Sequence, residues 1–328
     1  MHWTHHSVFA HPGGTAITNR EPRSLDSNLI TYALPCALAV IMFGLGMSLT
    51  ADDFRRVARH PKAVTIALVC QVVLLPAVAF GLVEAFGLRP DLAMGFMLLA
   101  ASPGGPMANL FSHLFKGDLA LNISLTAINS VVALVSLPVI ANLAIHQFLG
   151  GGESIGLPPG KIIQTFAVVL VPVALGMVVR NRAVGFADRM DRPVRTASTS
   201  FLALVILLAV LQERANIAGY FASVGLICLL FATISIVIGY FAPRALGVGQ
   251  SQAIASAFEV GIHNSALAIF IAVSVFGSTA MAVPASVYVL AVWIPAFVFG
   301  FVMNAAQRRA QRTSSSVAPT ALNAGSTH

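Results

Sequence analysis

Residues Phe258 to Ser265, reading FEVGIHNS, put a carboxylate and an imidazole inside a stretch that is otherwise apolar from Ala253 to Phe276. Glu259 is the one acidic residue of twelve that stands away from the end of an apolar segment. An ionisable side chain in hydrocarbon costs about 2.5–3.5 kcal/mol on insertion scales, so it marks a functional site unless it is kept neutral and hydrogen-bonded for packing. A second polar group follows helical spacing. Asn122, Thr126 and Asn129 are four and seven positions apart and share one helical face, with Ser130 beside them. That face serves either interhelical hydrogen bonding or ion coordination. Gln71 adds another uncharged oxygen in an apolar run. One carboxylate with amide and hydroxyl oxygens makes a shell for a hard cation, not for zinc or copper.

A third segment, SPGGPMAN from Ser102 to Asn109, sets Gly104 and Gly105 between Pro103 and Pro106. Proline removes a backbone donor and clashes with the preceding turn, and paired glycines are poor helix formers. A helix crossing this stretch is expected to come apart. Unwound backbone at membrane depth is tolerated only where it is buried in protein or lines an aqueous cavity. Pro76, Pro138, Pro172, Pro284 and Pro295 stand singly and read as ordinary kinks.

The elements that must carry these residues are membrane helices. Of 328 residues, 9% are charged and 57% hydrophobic, and the mean hydropathy is +0.84. Ordinary soluble domains carry about 25% charge, so no water-soluble surface can be built from this chain. Spans of about 20 apolar residues give nine candidates, at 29–50, 63–87, 92–114, 120–148, 162–179, 196–212, 220–240, 251–277 and 282–305. The expected fold is an all-α membrane protein. Such long apolar runs exclude a β-barrel, whose segments alternate over about 10 residues. Cys36, Cys70 and Cys228 lie within spans without metal-type spacing and read as small core residues. Residues 1–28 lack the apolar core of a signal peptide and are expected to be disordered, as is the tail from 306 to 328.

Net charge is +7 and the pI about 9.9, but the basic residues follow the spans and do not form a nucleic-acid surface. Fourteen of nineteen, among them Arg56, Lys116, Arg192, Arg244 and Arg309, fall on one side; Arg20, Arg23, Arg89, Lys161 and Arg214 fall on the other. The positive-inside bias then places the N-terminus outside and the C-terminus in the cytoplasm, which requires an odd number of spans. The expected location is the cell membrane, the inner one in a bacterium. The interrupted spans, at 92–114 and 251–277, are five apart and so cross in opposite directions. Two such breaks in two oppositely oriented halves point to an inverted-repeat secondary transporter, with spans one to four matching six to nine.

The segments MFGLGMSLT (42–50), QVVLLP (71–76), SPGGPMANLFSHLFKGDLALNISLT (102–126) and FEVGIHNSALA (258–268) resemble, in order and spacing, the hallmark segments of the bile acid:sodium symporter family, nine-span type. The resemblance covers roughly residues 30–305. It implies a core domain from spans at 63–148 and 220–305, a panel domain from spans at 29–50 and 162–212, and two broken helices crossing in the core. It further implies one sodium site at Asn109, Asn122, Thr126 and Glu259. A second would use Gln71, Glu259, the Val260 and Ile262 carbonyls and the His263 side chain. Four positions depart from the family pattern: Ala108 and Asn122 stand where serine is usual, His263 stands in place of a glutamine, and Pro106 stands in place of a residue that often gives a hydroxyl near the substrate. An imidazole nitrogen is a poor sodium ligand, which puts the second site in question.

The resulting expectation is not an enzyme but a sodium-coupled symporter of a small organic anion, working by alternating access, bilayer-embedded and monomeric. Gly104, Gly105, Asn109, Asn129, Asn264 and Ser265 would face the substrate. The nearest alternative, favoured by His263, is a proton-coupled carrier or uniporter of a small organic acid. A channel or a membrane enzyme lacks a filter repeat or a nucleophile–base pair in this sequence.

Overall fold

Proline marks where many of the helices begin. The computed structural model describes residues 59–150, 159–190 and 217–317, with isolated positions between 36 and 55 and between 193 and 200. Over these residues α1 (Pro61–Val69), α3 (Pro90–Ala101), α4 (Pro106–Leu114) and α6 (Pro159–Arg182) each start at a proline. Its fixed φ suits the first helical position, where no N–H partner is lost. The remaining helices are α2 (Leu75–Phe86), α5 (Leu119–Phe148), α7 (Ile217–Tyr220), α8 (Leu226–Ala245), α9 (Gln250–Gly261), α10 (Ser265–Phe270), α11 (Val283–Ala291) and α12 (Trp293–Val317). Among the described residues there is no strand beyond one isolated bridge.

Three widened π turns, Cys70–Leu74, Phe221–Gly225 and Ile271–Val275, join or extend these helices. The first precedes Pro76, whose missing N–H leaves a carbonyl one turn back without its usual partner. Counting through the first two π turns, and through a 3-10 turn at Ala280–Ala282 in the third case, Pro61–Phe86, Ala218–Ala245 and Ala280–Arg309 are apolar helices of 26, 28 and 30 residues. At 1.5 Å per residue each is long enough to cross a bilayer. The 30-residue α5 bends by 53° between Ala133 and Val135, where Pro138 removes the hydrogen bond to residue 134. The chain is therefore a helical, multi-pass membrane protein. The expected spans at 29–50 and 196–212, and with them most of the panel, lie outside the described residues.

Two glycines stop the helices that feed the breaks. Gly87 (φ 57°) and Gly247 (φ 80°) adopt the left-handed conformation, and the following backbone N–H groups close back on Val83 and Pro243. α3 and α9 then start at Pro90 and Gln250, and each runs 12 residues before unwinding. α8 and α9 pack closely because small residues line their contact. A Cβ on Gly239 would lie 2.9 Å from the Ala257 Cα, so only glycine permits this approach. Phe96, Phe231, Phe258 and Tyr288 fill the interior behind the breaks. Outward-facing Val135, Leu143, Ile294 and Phe301 are exposed and apolar, as a lipid-facing surface requires.

Two expectations are corrected. α12 continues to Val317, so the tail expected to be disordered from 306 begins as helix; Ala305, Ala306, Gln307, Arg308 and Arg309 are all good helix formers. Cys36 is exposed, whereas Cys70 and Cys228 are buried as expected.

Candidate functional site

α3 cannot continue past Ala101, because Pro103 disfavours helical geometry at the residue before it. Ser102 turns extended (ψ 141°), and its hydroxyl closes on the Leu99 carbonyl at 2.7 Å. On the other strand of the crossing, Ile262 leaves α9 at φ −116°, ψ 90°. The two unwound segments then meet as one antiparallel rung between Gly104 and His263. The Asn264 N–H donates to the Pro103 carbonyl at 2.8 Å. Backbone groups freed by the breaks are thus partly satisfied by each other, inside protein.

Glu259 is fully buried beside this rung. Its Oε2 accepts from the Thr126 hydroxyl at 2.5 Å and its Oε1 from the Asn129 amide at 3.3 Å. The Gly104 backbone lies against the carboxylate, so that a Cβ at Gly104 would fall on it. One broken helix therefore supplies the carboxylate and the other presses bare backbone against it. Among the described residues, no lysine or arginine forms a salt bridge to Glu259.

α5 and α9 are tied in register below the carboxylate. The Asp118 N–H bonds the Ser251 carbonyl at 2.9 Å, the Asn122 amide bonds the Ala255 carbonyl at 2.8 Å, and Thr126 bonds Glu259. Each rung is four residues from the next on both helices, one turn apart. This ladder brings Asn122, Thr126 and Asn129 to α9 on the face that their spacing predicts.

Oxygens here remain free for a cation. Asn122 Oδ1, Asn109 Oδ1 on the first turn of α4, and Gln71 Oε1 in the first π turn are buried without a hydrogen-bond partner. Leaving such a group unpaired costs about 1–3 kcal/mol, which a bound hard cation would offset. Among the described residues no three His, Cys, Asp or Glu side chains gather, so the donor set suits an alkali cation better than a transition metal.

The second group of predicted ligands is arranged differently. The Gln71 amide donates to the Ser102 carbonyl at 2.9 Å and lies 3.2 Å from His263 Nδ1. Nδ1 is itself 3.1 Å from the same carbonyl. The imidazole stacks on Phe231 (5.0 Å, 21°), and its Nε2 is buried without a partner. Gln71 and His263 therefore hold each other. Val260 and Ile262 lie at the C-terminal end of α9, where carbonyls lack intrahelical partners.

Of the residues expected at the substrate, Gly104 and Gly105 form the turn into α4. Asn129 donates to Glu259 through its amide, and Asn264 Oδ1 caps α10 by accepting from the Leu267 N–H at 3.1 Å. Ser265 is buried with its hydroxyl unpaired. Tyr288, absent from the sequence reading, joins the site through its hydroxyl, which donates to the Gly261 carbonyl at 2.6 Å. The one available signal was a tyrosine in an apolar run of a chain with 21 phenylalanines and 4 tyrosines.

Residues 35–220 match the model of the Sodium Bile acid symporter family. The chain belongs to that family. It is 30% identical over 260 residues to the "Uncharacterized sodium-dependent transporter YocS" of Bacillus subtilis, covering 78% of this chain and 77% of the relative. It is 28% identical over 253 residues to the "Probable sodium/metabolite cotransporter BASS1, chloroplastic" of Arabidopsis thaliana, covering 76% of this chain and 61% of the relative. The rabbit (Oryctolagus cuniculus) "Ileal sodium/bile acid cotransporter" is 24% identical over 243 residues, with 74% of this chain and 69% of the relative covered. The chain thus spans less than two thirds of the plant family member's length. These relatives carry names of sodium-dependent transporters, and the family is one of transporters, not enzymes.

Proposed function

We propose that this chain is a sodium-coupled secondary active transporter, a symporter of a small organic anion that works by alternating access. The observation that carries this reading is the crossing of two broken helices on a buried carboxylate surrounded by unpartnered oxygens. A sodium ion at Glu259, with Asn109, Asn122 and Thr126, would neutralise the buried charge and hold the two halves of the crossing together. Gly105, the N-cap of α4, carries no capping side chain. Pro106 has no N–H and the Ala108 N–H closes on the Gly105 carbonyl at 2.9 Å, so what α4 offers an anion at the crossing is the positive end of its dipole. Gly104, Gly105, Asn109, Asn129, Asn264 and Ser265 are the residues to which we assign the substrate.

An inverted repeat is supported by the order of local features. In both halves a helix with a π turn ends at a left-handed glycine, and a 12-residue helix follows and breaks. The antiparallel rung agrees with opposite orientations of the two broken spans. On this reading nine spans divide into the core and panel given by the sequence, in the cell membrane and acting as a monomer. The bias of basic residues puts Arg56 and Arg309 in the cytoplasm and Lys161 outside. In a cysteine-substituted set, an impermeant thiol reagent should modify position 161 in intact cells and leave position 56 untouched; modification at 56 overturns the orientation.

The substrate is found by thermal unfolding of the purified chain with a panel of organic anions, in sodium chloride and in choline chloride. Ligand stabilises the folded state by RT ln(1 + [L]/Kd). One anion should raise the midpoint in sodium and fail to do so in choline. If every stabilising anion acts equally in both salts, sodium coupling is wrong.

The unpaired Nε2 of His263 favours one rival, proton coupling at that position. We assign His263 instead to filling the second cation site, because Gln71 and the Ser102 carbonyl already hold it. The sodium dependence of uptake should then have a Hill coefficient of about one, rising to about two in His263→Gln. A wild-type coefficient of about two that the substitution leaves unchanged contradicts this assignment. Uptake driven by a pH gradient in sodium-free buffer supports the rival.

A further inference from the structure

We infer that Tyr288 is a positioning residue that sets the sodium affinity of the crossing by fixing where α9 ends. The inference rests on the sodium-coupled reading above. Tyr288 stands on α11 and is fully buried. Its ring lies edge-on to His263 (5.6 Å, 70°) and near Phe231 (6.1 Å, 55°), so the hydroxyl has one fixed direction. That hydroxyl donates to the Gly261 carbonyl at 2.6 Å.

The place of that bond in the helix gives it its effect. The last α-helical closure of α9 runs from the Ile262 N–H to the Phe258 carbonyl at 3.0 Å. The carbonyls of the last turn have no partner within the helix. Tyr288 satisfies the one on Gly261, from a different element. Peptide units are planar, so holding the Gly261 carbonyl also fixes the Ile262 N–H of the same unit, which closes on the Phe258 carbonyl next to Glu259. The bond thereby places the end of α9 at Gly261 and the extended turn at Ile262, three residues beyond the Glu259 carboxylate. Without it a buried carbonyl is orphaned, and α9 can lengthen or twist to recover a partner, moving the oxygens that face the cation. Phenylalanine keeps the ring against His263 and Phe231 and deletes only the hydroxyl.

The test uses the full-length purified chain and sodium-22 alone, so it needs no knowledge of the substrate. Equilibrium binding should show that Tyr288→Phe raises the sodium Kd about fivefold, the effect of losing one buried hydrogen bond to the site's frame. Thermal stability in sodium-free buffer is measured alongside. A sodium Kd equal to that of the wild type, whatever the change in stability, overturns the inference and leaves the sodium-coupled reading standing. If Tyr288→Phe does not fold, Tyr288→Met, which fills much of the same buried space and also lacks a donor, replaces it under the same criterion. Failure of the wild type itself to bind sodium-22 overturns both.

Discussion

Glu259→Gln is expected to reduce sodium-driven uptake to background while the chain still inserts and folds. Glutamine keeps the length and shape of the side chain, and its carbonyl oxygen can still accept the Thr126 hydroxyl bond now made at 2.5 Å. What it lacks is the negative charge. A sodium ion leaving water for a buried site gives up hydration that neutral oxygens alone do not replace. The carboxylate offsets that loss through an attraction that grows as the local dielectric falls. Reconstituted wild-type and variant protein, matched for amount by immunoblot, would be compared for uptake under an inward sodium gradient. Undiminished sodium-driven uptake in the variant would mean that the carboxylate is held for packing and has no part in coupling.

Gly104→Leu should be equally severe for a different reason. The nearest atoms to a Cβ built at Gly104 are all from the Glu259 carboxylate. A side chain there must displace the carboxylate from Thr126 and Asn129, or part the Gly104–His263 rung. Either outcome disturbs the cation position and the turn that opens α4. Hydrogen bonds to charged groups contribute about 1.5–3 kcal/mol each, so displacing the carboxylate is costly even if the fold survives. Gly104→Ala should weaken sodium binding and Gly104→Leu should abolish uptake, both with membrane expression near that of the wild type. Normal uptake by the leucine variant would show that the break in span three is a plain kink.

Much of this site was legible in the sequence because it violates the local rule. A carboxylate in an apolar run, and two glycines between two prolines in another, conflict with membrane-helix composition. Asn122, Thr126 and Asn129 were legible as one face because helical periodicity is a local property. Their partners on α9 were not, since pairing Asn129 with Glu259 depends on the register of helices 130 positions apart. Asn264 illustrates an ambiguity: an asparagine before an apolar run can cap a helix or face a ligand, and here its Oδ1 caps α10. The π turn that carries Gln71 leaves no periodic signature, because it adds a single residue to an otherwise helical pattern. Tyr288 was missed because its role depends on one hydroxyl reaching one carbonyl 27 positions away. In the fold, the span containing α12 was expected to stop at residue 305, where hydropathy falls. Helix propensity, which ignores the membrane boundary, carries it to Val317.

The central claim is that inward sodium flow drives an organic anion uphill through this chain. It is tested most directly by loading sodium-free proteoliposomes and measuring accumulation of the anion identified by sodium-dependent stabilisation. The account predicts accumulation above the external concentration when sodium is outside, and collapse to equilibrium when a sodium ionophore dissipates the gradient. Equal, non-concentrative uptake in sodium and in choline would contradict it.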